Sequence, residues 1–149
     1  MIDPGLAVVN RLSAAQRRGN WEEIEPLLAE LMPFLGPDLV APLLSTLVDD
    51  PTGETQVFGI VHVAESITDP QYTAGLLKAM PVLIKRSPRW ATILLIRALN
   101  SPETLRQLLQ LVPDLPHEQR AALLDAAEAV ERWRPGKFDE KTNLIRNGL

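Results

Sequence analysis

Four times along this chain a short polar residue is followed directly by proline and then by an apolar run: Asp3-Pro4, Asp69-Pro70, Ser87-Pro88 and Ser101-Pro102. Proline is tolerated in the first turn of a helix, where its missing N–H has no intrahelical partner to lose. Serine or aspartate just ahead of it can accept from the open N–H groups of that turn. The pair is therefore a repeated helix-start signal, and thirteen prolines are compatible with a helical chain. Gly36-Pro37 and Pro116 read as two further starts, and Asn20 with Glu23 as a capping box around Trp21.

The spacing of apolar residues agrees. Val40, Leu43, Leu44 and Leu47 fall at i, i+3, i+4 and i+7; so do Val57, Ile60, Val61 and Ala64, and Leu105, Leu108, Leu109 and Val112. Trp21, Ile24, Leu28, Leu31 and Leu35 form another stripe, and Leu123, Leu124, Ala127 and Val130 another. Together these predict helices over 4–18, 21–35, 37–48, 54–67, 70–86, 88–100, 102–112 and 116–133. Pro26, Pro42 and Pro81 are expected to kink the helices that contain them. Short connections make successive helices antiparallel neighbours. The reading is an all-α fold, an irregular array of about eight antiparallel helices in HEAT- or TPR-like hairpins. A single domain over 1–134 is expected, with a C-terminal tail over 135–149 that Phe138, Leu144 and Ile145 tie down.

Several function classes lack their residues. With no cysteine there is no disulfide, thiolate metal site or cysteine nucleophile. Ser45, Thr52 and Ser66 lack a His and Asp at nucleophile-like spacing. A glycine-rich phosphate loop and a Walker lysine are both missing. The expectation is no catalytic residue, no metal, no cofactor and no small-molecule substrate. The apolar runs are too short for a membrane span. Met1-Ile2-Asp3-Pro4 has neither the basic start nor the apolar stretch of a signal peptide, which predicts a cytoplasmic protein. A net charge of −4 argues against nucleic acid as the ligand.

The charges are unevenly placed. Residues 19–77 hold no Lys or Arg and ten carboxylates, whereas residues 78–113 hold six basic residues against Glu103 alone. Helix macrodipoles account for Glu22, Glu23, Asp38 and Asp69 near helix starts. They do not account for the lack of basic residues at the ends of the same helices. An acidic surface for a basic protein partner does, because such a surface speeds encounter and disfavours wrong partners. The expected contacts are Glu22, Glu23, Asp49, Asp50, Glu54 and Asp69, with Tyr72 as an aromatic anchor. The loop Asp49-Asp50-Pro51-Thr52-Gly53-Glu54 is the sharpest point of this surface. Its spacing lacks the alternating ligands and the distal bidentate Glu of a calcium loop.

One helix, over 88–100, is apolar almost all round, which predicts a buried element. Arg97 lies on its Trp90 stripe and there needs a carboxylate. Glu65 is the candidate, with His62 one turn earlier on the same face. The expectation is a buried His62, Glu65 and Arg97 network that fixes helix packing, rather than a metal or acid–base pair.

Several stretches then resemble a known family: Ile60-Val61-His62-Val63-Ala64-Glu65-Ser66, Tyr72 with Leu76-Leu77, Met80-Pro81-Val82-Leu83, Ser87-Pro88-Arg89-Trp90-Ala91 and Arg97-Ala98-Leu99-Asn100-Ser101. Over about residues 55–125 they resemble the immunity protein 30 family. These are all-helical bacterial immunity proteins of polymorphic toxin and contact-dependent inhibition systems. The resemblance implies a non-enzymatic protein that binds one cognate toxin in the cytoplasm of the producing cell and blocks it stoichiometrically. Many such toxins are basic nucleases, which an acidic face suits. The alternative is an α-helical repeat adaptor binding an endogenous protein.

Overall fold

The computed structural model describes residues 2–149, and among these there is no strand. Among the described residues nine α-helices follow one another: α1 (Pro4–Arg18), α2 (Ile24–Leu31), α3 (Val40–Leu44), α4 (Glu54–Glu65), α5 (Gln71–Arg86), α6 (Pro88–Leu99), α7 (Pro102–Leu111), α8 (His117–Trp133) and α9 (Asp139–Gly148). The chain forms two compact units, Met1–Ala79 and Met80–Leu149, divided within α5.

Helix starts follow the capping chemistry in part. The Asp3 carboxylate accepts from the Leu6 N–H at 3.0 Å, and the Ser101 hydroxyl from the Thr104 N–H at 3.4 Å. Asp69 accepts from both the N–H and the hydroxyl of Thr73. Asn20 makes no side-chain capping bond, because Trp21–Glu23 winds as a 3-10 turn and α2 begins only at Ile24. The same delay places Pro26 and Pro42 in the first turns of α2 and α3, where no N–H bond is lost and no kink is needed. Of the three prolines only Pro81 is interior to a helix. Instead of reaching residue 48, α3 stops at Leu44. There the Ser45 and Thr46 hydroxyls donate back to the Ala41 and Leu43 carbonyls, each at 2.7 Å, and compete with the helical pattern.

In the first unit α1 packs on α2 and α3, and α4 packs on α2 and α3. The Val40 and Val57 stripes are buried throughout, with Leu12, Ile24 and Leu31. α1 closes on Gly19, whose φ of 72° is the left-handed cap that glycine adopts without strain.

In the second unit α6 is the central element: eight of its twelve residues are buried, Trp90 among them, and it packs on α7 and α8. Residues 135–149 are not a tail. They contain α9, which packs on α7 and α8 and buries Thr142 and Ile145, with Phe138 buried just ahead of it; Leu144 stays exposed. Arg146 clamps Glu131 of α8 through bonds of 2.5 and 2.6 Å, and Thr142 donates to the same carboxylate at 2.8 Å. The Arg146 guanidinium holds the Glu131 carboxyl down at about 2. Lys141 adds a bond of 2.9 Å to the Leu99 carbonyl.

Candidate functional site

The two acidic segments of the first unit meet through one aromatic side chain. Trp21 opens the turn that carries Glu22 and Glu23, and its indole N–H donates to the Thr52 hydroxyl at 3.1 Å. The same ring covers Gly53: a Cβ there would lie 2.3 Å from indole carbons, so only glycine lets the 49–54 loop approach this closely. Trp21 thereby joins the Glu22–Glu23 turn to the loop of Asp49, Asp50 and Glu54.

The loop is held from its other side by Gln16. This residue of α1 is 1% exposed. Its Oε1 accepts from the Val48 N–H at 3.1 Å, and its Nε2 donates to the Thr46 hydroxyl at 2.9 Å. Within the loop, Asp50 accepts from the Thr52 N–H at 3.0 Å and from its hydroxyl at 2.8 Å, which closes the turn. Glu22, Glu23 and Asp49 are exposed, while Asp50 and Glu54 are half-buried.

The unit as a whole is acidic. Met1–Ala79 carries eleven carboxylates against four basic residues, and Met80–Leu149 eight against eleven. Two basic residues of α1 border the acids: Arg11 pairs with Glu30 at 3.1 Å, with both side chains more than half exposed, and Arg18 lines the same groove as Glu22 and Glu23. No group of three or more His, Asp and Glu among the described residues is placed to hold a metal ion. None of the described helices is long and apolar enough to cross a membrane.

Three expected roles change. Tyr72 is 6% exposed and belongs to the core, so its ring is not offered to a partner. Asp69 is half-buried and its carboxylate is engaged by Thr73 at the start of α5. The expected burial of His62, Glu65 and Arg97 is not met: His62 is exposed, and Glu65 and Arg97 are half-buried. The reason for His62 is angular. It follows Val61 by one residue and so leaves the Val57, Ile60, Val61 and Ala64 stripe, lying 6.3 Å from the Phe58 ring instead.

Sequence reasoning missed Gln16 and the contact of Trp21 with Gly53. Residues 30 or more apart in sequence leave no periodic signal, and a lone Gln in an amphipathic helix reads as a surface residue. It also gave no place to the large apolar side chains left in solvent, Met32, Phe34 and Trp133.

Comparison with known proteins covers much of this region. No curated protein and no solved structure gives a match. Residues 11–108, about two-thirds of the chain, match the family model Immunity protein 30. The match starts inside α1 and takes in the whole acidic stretch, so the resemblance seen over 55–125 understates the N-terminal third. The family match and the all-helical architecture agree, and the chain belongs to the immunity protein 30 family.

Proposed function

We propose that this immunity protein neutralises a basic bacterial toxin by docking it stoichiometrically on the acidic end of the first unit. Glu22, Glu23 and Asp49 make the outer contacts, and Asp50 and Glu54 shape and charge the loop behind them. The observation that carries this reading is the joining of two acidic segments by Trp21 on a turn and loop that lack any Lys or Arg. Carboxylates gathered on a held loop act chiefly on encounter and orientation. No cofactor, metal, nucleic acid or membrane enters the reading, and its setting is the cytoplasm of the toxin-producing cell.

The test is co-expression with the toxin domain encoded in the neighbouring gene, followed by titration calorimetry of the two purified proteins. Growth rescue with one-to-one binding is expected. A triple variant Glu22→Lys, Glu23→Lys and Asp49→Lys changes exposed positions and should lose rescue at low expression. Wild-type affinity in that variant refutes the docking surface. Absence of any complex, with an endogenous protein captured instead, favours an adaptor.

A further inference from the structure

Beside the acidic end, α1 and α2 leave a groove of about 380 Å³. It exists because α1 presents Ala14 and Ala15 there, opposite Pro26 and Leu27 of α2. The floor is therefore apolar; the rim carries Glu22 and Glu23 from the turn before α2 and Glu30 from α2, against Arg11 and Arg18 from α1. Arg11 reaches over from α1 and bonds Glu30 with two nitrogens, at 3.1 and 3.4 Å. Both side chains remain 51–59% exposed, so this pair is weakly held and readily exchanged.

An apolar floor below carboxylates suits one kind of occupant. Lysine and arginine lay their methylenes on apolar surface and keep the charged head at a polar rim. We propose that the groove receives an arginine or lysine side chain of the toxin, and that Arg11 is the internal stand-in it displaces from Glu30. This rests on the docking reading above and names the group by which the partner is gripped. Arg11 thus restrains binding: part of the attraction to the incoming cation goes into breaking an existing pair.

The experiment compares Arg11→Ala with Arg17→Ala in the full chain, using the toxin domain encoded next to it. Both variants remove one positive charge from an exposed position of α1, so long-range attraction changes alike. Only Arg11→Ala releases Glu30. The expected result is affinity about two- to fivefold above that of Arg17→Ala, read as slower dissociation. Glu30→Gln should weaken binding and abolish the gain in the double variant. Equal affinities of the two alanine variants, or a gain that survives Glu30→Gln, overturn the proposal. If the Glu22, Glu23 and Asp49 triple variant loses binding while Arg11→Ala matches Arg17→Ala, the docking surface stands and the groove fails. If the triple variant binds as wild type, the docking surface itself fails.

Discussion

The Trp21 indole fills the space that a side chain at Gly53 would need, and its N–H donates to Thr52 next door. A residue of the α1–α2 connection is thereby coupled to the turn that starts α4. Gly53→Ala should drive the ring off its seat at a cost of about 1–3 kcal/mol, as for overpacking elsewhere. Urea unfolding followed by tryptophan fluorescence checks this. An unchanged midpoint would mean that the ring shifts freely.

Gln16 predicts a second, separable effect. Gln16→Leu keeps the volume but removes the acceptor for the Val48 N–H and the donor to Thr46. Losing such bonds at a buried site costs about 1–3 kcal/mol. Hydrogen exchange at the Val48 amide should accelerate along with the drop in stability. Unaltered exchange would show that Gln16 does not hold the loop.

The α8–α9 clamp predicts a pH dependence with a definite sign. Glu131 has its folded-state value lowered from 4.5 to about 2 by Arg146. Its contribution is complete above about pH 4.5 and is lost as pH falls from there towards 2. Glu131 and Arg146 keep 24% and 32% of their side-chain surface in water, so the loss is about 1 kcal/mol rather than the larger figure a dry pair would give. Glu131→Gln should flatten the acid limb of a melting-temperature curve between pH 4.5 and 2. A limb identical to wild type would remove Glu131 from the account.

Association with the toxin should depend on salt. Exposed Glu22, Glu23 and Asp49 attract over roughly 10 Å at 0.1 M ionic strength and over less as salt rises. The logarithm of the association rate should fall with added salt, and more shallowly in the triple Lys variant. Parallel slopes in a stopped-flow series would place the steering charges elsewhere.

The helical stripes were legible because burial imposes a period: Val40, Leu43, Leu44 and Leu47 are all buried, as are Val57, Ile60, Val61 and Ala64. The 3-10 turns at Trp21–Glu23 and Pro37–Leu39 were not legible, since the periodic residues run across them and only the delayed prolines reveal where α2 and α3 begin. α9 escaped notice because just two of its residues, Thr142 and Ile145, are buried and the remaining hold comes from ionic and hydrogen-bonding side chains. Of the site, the acidic residues were readable from the basic gap, but what joins them was not. Tyr72 shows the opposite failure: an aromatic in an acidic stretch looks like an anchor until packing assigns it to the core.

Fastening the stretch from Val48 to Gly53 at both ends has a thermodynamic corollary. A floppy acidic segment must surrender chain entropy as it meets its target, whereas this one has already done so during folding. Under the proposed docking, this loop therefore contributes no ordering step of its own between first touch and the final complex.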